Sequence, residues 1–203
     1  MWTYHPDLLA MPVPRYTSFP TAAEFSDAVG ADDMERALAA VSGDYSLYVH
    51  IPFCERICWY CGCNTSAANR RDRLEAYLDT LNREIGVISE RLAGKGRVRR
   101  IAFGGGSPNA ISPTEFVRLV EELTVSFAPD GCDWSIELDP RALTDDWSTV
   151  FTYIPIKRVS FGVQTFSSRL QKAIGRIQPD AMIEGGVVTR NGGGCRAVGG
   201  ASI

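Results

Sequence analysis

Apolar and polar positions alternate along this chain in two rhythms. Tyr45-Ser46-Leu47-Tyr48-Val49-His50-Ile51 is rich in aromatic and β-branched residues and stops at Pro52, which reads as a strand. From about residue 71 to 93, Leu74, Leu78, Leu81, Ile85, Ile88 and Leu92 return at spacings of four and three, tracing one face of a long helix. Val98 to Phe103 is a second strand, halted by Gly104-Gly105-Gly106. Ser112-Pro113-Thr114-Glu115 has the pattern of a capping box with proline at the first helical position. Phe116, Leu119, Val120, Leu123 and Phe127 supply that helix's apolar face. Trp134 to Leu138 and Arg158 to Val163 are two further strands, with a weaker helix pattern at 142–153 and a short helix at Ser167 to Ile174.

Strands alternating with helices predict an α/β fold with a parallel sheet and right-handed crossovers. Four such units do not close an eight-stranded barrel, so an open, incomplete (β/α) barrel is expected over residues 45–178. Residues 1–44 read as an irregular arm, broken by Pro12, Pro14 and Pro20, followed by a short helix from Asp32 to Val41. Residues 179–203 are crowded with glycine and lack a sustained apolar period, so a loose tail is expected there.

Composition narrows the function classes. The 203 residues are 45% hydrophobic and 22% charged, with a formal net charge of -3. No basic stripe suggests nucleic acid or an anionic membrane as partner. No apolar run reaches the roughly 20 residues a membrane span needs. The N-terminus lacks the basic start and apolar stretch of a signal peptide, so a reducing, cytoplasmic setting is expected. There, clustered thiols favour metal or redox chemistry over disulfides.

Of six cysteines, Cys54, Cys58, Cys61 and Cys63 fall within ten residues. The C-x3-C-x2-C spacing of Cys54, Cys58 and Cys61 suits a [4Fe–4S] cube, each thiolate holding one iron and the fourth iron staying open. A structural zinc knot with Cys63 as fourth ligand is the alternative, though zinc sites usually pair elements far apart in sequence. Glu137, a carboxylate in an otherwise apolar strand, is expected to be buried with a partner. Cys132 has no companion and reads as a small buried hydrophobe; Cys195, in the glycine-rich tail, has no assigned role.

The C-x3-C-x2-C motif after the first strand resembles the signature of the radical S-adenosylmethionine (SAM) enzymes. Further segments resemble one branch, the oxygen-independent coproporphyrinogen III oxidases: Pro14-Arg15-Tyr16-Thr17-Ser18-Phe19-Pro20-Thr21, Tyr48-Val49-His50-Ile51-Pro52-Phe53-Cys54, and Cys61-Gly62-Cys63. Gly104-Gly105-Gly106-Ser107-Pro108, Ile136-Glu137-Leu138-Asp139-Pro140-Arg141 and Ser160-Phe161-Gly162-Val163-Gln164-Thr165-Phe166 continue the match in order. Ser107 stands where the family usually has threonine, which keeps the hydroxyl.

The resemblance implies Cys54, Cys58 and Cys61 as cluster ligands and Cys63 as a catalytic residue. It implies that Tyr48 lies beside the sulfonium of S-adenosylmethionine and that Tyr60 contacts the adenine. Gly105 and Gly106 would let the backbone approach the methionine moiety, Glu137 would accept from the ribose, and Gln164 and Arg176 would hold other polar groups. The implied reaction is oxidative decarboxylation of two propionates of coproporphyrinogen III to the vinyls of protoporphyrinogen IX. The implied partners are that substrate and a reductant such as flavodoxin or ferredoxin, with a monomer as the expected form. The related haem-binding chaperones resemble the same barrel, but generally lack the arm motif and carry an aromatic residue where Cys63 stands. The resemblance fades after Pro179, where the family continues through later strands and a C-terminal domain. The switch to glycine-rich sequence reads as a frameshift or gene fragment, and low activity is expected of such a chain.

Overall fold

The computed structural model describes residues 24–191 and 196–200, with side chains described for 24–185. The arm motif at 14–21 and Cys195 lie outside the described residues. The chain divides into two units, Met1–Ala39 and Ala40–Ile203. In the first, helix α1 (Ala31–Ala40) opens with Asp32 and Asp33 in its first turn, where carboxylates meet the positive end of the helix dipole. Asp33 accepts from the backbone N–H of Gly30 at 2.8 Å, closing that end.

The second unit is built on a parallel sheet. Strand β1 (Gly43–Ile51) is followed by the short pair β2 (Phe53–Cys54) and β3 (Ser66–Ala67), helix α2 (Arg71–Leu92) and strand β4 (Gly96–Gly105). Helix α3 (Pro113–Phe127), strand β5 (Asp133–Leu138), helix α4 (Asp145–Tyr153) and strand β6 (Ile156–Gly162) repeat the alternation. Helices α5 (Ser168–Ala173) and α6 (Asp180–Asn191) and strand β7 (Arg196–Gly200) complete the order. The main sheet runs β1-β4-β5-β6-β7 with every pairing parallel. This is the open α/β arrangement that the alternating periods predict.

The helices begin where local chemistry allows. In α3, Ser112 Oγ accepts from the Glu115 N–H at 3.3 Å, and Glu115 Oε2 accepts from the Ser112 N–H at 2.8 Å. Pro113 occupies the first helical position, where its missing N–H costs nothing. Arg71, at the start of α2, donates to Glu115 at 2.7 Å and ties the two helix N-termini together.

One face of the sheet carries the core. Ile101, Phe103, Trp134, Ile136, Val159 and Phe161 meet Leu74, Leu81 and Ile85 of α2 and Phe116, Leu119 and Leu123 of α3. An aromatic ladder runs through it: Phe103–Phe116 centroids lie 4.8 Å apart, Phe116–Trp147 5.2 Å and Trp147–Phe151 5.9 Å. Each such side chain contributes roughly 1.5–3 kcal/mol by leaving water. The strands' alternate residues point to the other face, where Tyr48 and Glu137 are exposed and Ser135 and Ser160 half-buried. The period of two therefore separates a packed layer from a layer available for chemistry.

The tail departs from expectation. Residues 180–191 form α6, and β7 adds to the free edge of β6, pairing Arg158 with Arg196 through Gly162 with Gly200. Local signals start the helix: the Pro179 carbonyl accepts from the Met182 N–H at 2.9 Å, Asp180 sits in the first turn, and Ile183 is buried. A strand held by backbone hydrogen bonds to an existing edge needs no apolar rhythm of its own, which is why its composition concealed it.

Candidate active site

The loop between β1 and α2 carries the four clustered cysteines, and the short β2–β3 pairing folds it back over the end of the sheet. The carbonyl of Cys54 accepts from the Ala68 N–H at 2.8 Å, and that of Pro52 from Ser66 at 2.8 Å. Cys54 and Cys61 are half-buried, Cys58 is buried and Cys63 is exposed. Among the described residues, no three Cys, His, Asp or Glu side chains gather closely enough to hold one metal ion together. A cubane asks for something different, one thiolate per iron.

The glycine run at the end of β4 exists because three other elements press against it. A methyl group on Gly106 would sit 2.3 Å from Thr65 Oγ1 and 2.5 Å from the Phe53 carbonyl oxygen. Gly105 has φ +116°, which side-chain-bearing residues rarely adopt, and a methyl there would meet the His50 ring at 2.9 Å. At Gly104 a methyl would lie 2.7 Å from Tyr48 Oη and 3.1 Å from Glu137 Oε2. Tyr48 and Glu137, predicted from sequence as cofactor residues, thus flank one bare stretch of backbone. Burial, then the nearby Glu137 carboxylate and Cys63, push the Tyr48 hydroxyl above its ordinary pKa, so it stays protonated. Glu137 corrects one expectation: it is exposed on the sheet's open face, while Trp134, Ile136 and Leu138 turn into the core.

Behind the cysteine loop lies a network that sequence reasoning missed. Ser107 Oγ accepts from the Asp139 N–H at 3.1 Å and donates to Asn109 Oδ1; Asn109 Nδ2 donates to the Asp139 carbonyl at 2.9 Å. These bonds fix the end of β5 against β4. They point the Asp139 carboxylate at two guanidiniums, Arg141 Nη2 at 2.6 Å and Arg176 Nη1 at 3.1 Å. Both arginines also donate to Cys58 Sγ at 3.3 Å. Burial pushes Asp139 up, but the Arg141 hydrogen bonds and the Arg176 charge outweigh it and hold its carboxyl below the usual range. The signal was available in Asp139-Pro140-Arg141, a charged pair directly after an apolar strand, but its target lies in another loop.

Arg176 is buried, and its Nε donates to the Gly162 carbonyl at 3.0 Å and to Gln178 Oε1 at 3.1 Å. Its place is therefore between the end of β6 and the cysteine loop. Gln164 sits close by, its Nε2 3.3 Å from a methyl built on Gly162. Its φ of +67° is a left-handed conformation that costs a non-glycine residue energy, and such strain gathers at functional sites. Tyr60 is exposed, with burial raising its pKa first and Arg176 partly opposing. Thr65 Oγ1 donates to Cys54 Sγ at 3.4 Å; burial raises the Cys54 thiol, and this bond partly offsets it. Burial and then Cys61 raise Cys63, which lies toward Glu137 and Tyr48. Cys132 is buried at the far end of β5, away from this cluster.

Cys132 apart, these groups lie at the C-terminal ends of the strands or on the segments that follow them, where active sites of barrels and open α/β sheets form. Thiols on a loop, a side-chain-free strand end and flanking polar groups are the features that the sequence led us to expect, and the radical SAM superfamily profile matches residues 48–186. The chain belongs to the radical SAM superfamily, whose cofactors are a [4Fe–4S] cluster and S-adenosylmethionine.

Within it, the chain is 39% identical over 169 residues to the oxygen-independent coproporphyrinogen III oxidase of Bradyrhizobium diazoefficiens, covering 82% of this chain and 38% of that protein. It is 41% identical over 173 residues to the enzyme of the same name from Pseudomonas aeruginosa, covering 81% and 37%. The solved coproporphyrinogen III oxidase of Escherichia coli, a radical SAM enzyme, superposes with a TM-score of 0.80 at 31% identity, over 94% of this chain and 43% of that one. The chain thus spans well under half the length of these relatives.

Proposed function

We propose that this chain carries the cofactor site of an oxygen-independent coproporphyrinogen III oxidase in haem biosynthesis. In this reading Cys54, Cys58 and Cys61 hold the cluster, and the observation that carries it is the packing of their loop on the end of β4, where Gly106 lies against Phe53 and Thr65, and Thr65 Oγ1 donates to Cys54 Sγ. The donor set fits: three thiols on one loop, and bare backbone where a second ligand must approach. A cluster held there would supply the electron that cleaves S-adenosylmethionine, and with it the radical chemistry that removes a hydrogen atom from substrate.

The chain's own groups bind and orient. Glu137 accepts from ribose hydroxyls, Tyr48 and Tyr60 line the cofactor's sulfonium and adenine, and Gly105 and Gly106 admit the methionine moiety. Gln164 and Arg176 bracket the end of β6, and exposed Cys63 faces the substrate side. Each ionised propionate would lose carbon dioxide, one β-hydrogen atom to the radical that the cofactor supplies and one electron to an external acceptor, and so become a vinyl. A flavodoxin- or ferredoxin-type protein is the reductant, the cytoplasm the compartment and a monomer the working form. No helix among the described residues is long and apolar enough to cross a membrane.

The test is anaerobic reconstitution with iron and sulfide, followed by EPR of the reduced chain with and without S-adenosylmethionine. A [4Fe–4S]⁺ signal that changes on adding the cofactor, and is lost in Cys58→Ser, is expected. Stoichiometric zinc without cluster formation would overturn the reading in favour of a structural metal site. Haem binding without any effect of S-adenosylmethionine on the signal would favour the chaperone branch. Turnover is read by chromatographic conversion of coproporphyrinogen III to protoporphyrinogen IX.

A further inference from the structure

Arg141 follows β5 in a single 3₁₀ turn, Pro140–Ala142, and its side chain is only 6% exposed. Its orientation is over-determined by Asp139: Nε donates to both carboxylate oxygens at 3.0 Å, Nη2 donates to one at 2.6 Å, and the backbone N–H reaches Oδ1 at 2.9 Å. What remains of Nη2 points at the cysteine loop, at the Arg56 carbonyl (3.2 Å) and Cys58 Sγ (3.3 Å).

The charge count around that sulfur does not balance within the protein. Among the buried groups, Arg141 and Arg176 bring two positive charges against the Asp139 carboxylate, which leaves a net +1 beside Cys58; exposed Glu55 and Arg56, on the same cleft, carry opposite charges and leave that balance unchanged. Burying unmatched charge is expensive unless an opposite charge meets it, and a neutral thiol is only a weak acceptor. A metal-bound thiolate supplies the missing negative charge and the acceptor for both donors. The field is also one-sided, because Cys54 Sγ accepts instead from a neutral group, the Thr65 hydroxyl at 3.4 Å.

We propose that Arg141 is a positioning residue that raises the reduction potential of the centre ligated by Cys58, through a cationic hydrogen bond to its sulfur. The inference rests on the cluster reading above and adds which residue tunes the cluster and in which direction. Hydrogen bonds to cluster sulfurs and nearby positive charge favour the more negative, reduced state. Asp139 acts in opposition, by neutralising part of that charge while aiming the guanidinium.

The experiment is an EPR-monitored redox titration of the reconstituted full chain without S-adenosylmethionine, with iron and sulfide content measured first. Arg141→Gln is expected to move the midpoint to more negative potential. At the poise where the unaltered chain is half reduced, its reduced-to-oxidised ratio falls about tenfold, equivalent to about 59 mV for one electron. Arg141→Lys, which keeps the charge without the planar fork, falls between. Asp139→Asn is expected to move the midpoint the opposite way, because it removes the opposing charge. A purely structural role would not produce opposite signs.

Unchanged midpoints in Arg141→Gln and Asp139→Asn at full cluster content, or shifts of the same sign in both, overturn the proposal. If one variant takes up no cluster, the sign of the other decides. Loss of the cluster from both overturns it, marking the network as support for the loop alone. A chain that forms no cluster before any substitution sinks this inference together with the function proposed above; a normal cluster with unmoved potentials sinks this inference only.

Discussion

Replacing Asp139 by alanine in the metal-free chain tests whether the charged network holds the site together before any cofactor arrives. The substitution removes an acceptor for Arg141 Nη2 (2.6 Å), Arg141 Nε (3.0 Å), the Arg141 backbone N–H (2.9 Å) and Arg176 Nη1 (3.1 Å). It leaves two guanidiniums, 6% and 8% exposed, with no carboxylate between them. Breaking a buried ion pair from one side costs about 3–5 kcal/mol, since the remaining charge stays desolvated and unpaired. For a domain of this size each kcal/mol lowers Tm by about 2–4 °C, so a fall of roughly 6–20 °C is expected. Urea unfolding in the presence of a chelator, followed by fluorescence of buried Trp134 and Trp147, measures it, with an unchanged slope showing that both states keep their extent.

The pH dependence gives the same reasoning a second reading. The folded pKa of Asp139 lies below its ordinary value, so its contribution is complete above the unfolded carboxyl's pKa of about 3.9. That contribution is lost as pH falls through the folded value. The gap between the unaltered chain and Asp139→Ala should therefore hold from pH 7 to about 4 and narrow below it. A loss under about 1 kcal/mol at pH 7, or a gap that does not narrow in acid, would refute the reasoning.

Other substitutions probe separate parts of the same structure. Ser107→Ala removes a buried hydroxyl that accepts from Asp139 N and donates to Asn109, and should cost about 1–3 kcal/mol in urea unfolding; Ser107→Thr keeps the hydroxyl and should stay within about 1 kcal/mol. Gly106→Ala places a methyl 2.5 Å from the Phe53 carbonyl oxygen, backbone that cannot yield cheaply. It should destabilise by about 1–3 kcal/mol and lower the iron retained after reconstitution. Gly86→Ala, within α2 where the added methyl meets nothing within 4 Å, should stabilise by about 0.5–1 kcal/mol in the same assay. Trp147→Ala, fully buried between Phe116 and Phe151, should cost about 3–5 kcal/mol by thermal unfolding.

The sequence by itself determined the features whose physics is local. The spacing of Leu74 to Leu92 needs only the helical period, and the Ser112–Glu115 capping box closes within four residues of chain. The C-x3-C-x2-C loop and the glycine run after β4 likewise announce themselves, because a tight loop and a close backbone approach both act over a few residues. What only the tertiary structure decided is which distant groups meet. Arg141 and Arg176 lie 83 and 118 positions from Cys58 and reach it because the parallel register brings the ends of β5 and β6 level with the cysteine loop. Glu137 reads as buried among apolar neighbours until the sheet acquires a packed face and an open one. Strand β7 escapes any search for apolar rhythm because the free edge of β6, not its own side chains, supplies the reason to pair. Register, face and edge belong to the assembled sheet, set by how α2, α3 and α4 pack on it; no short window of sequence contains them.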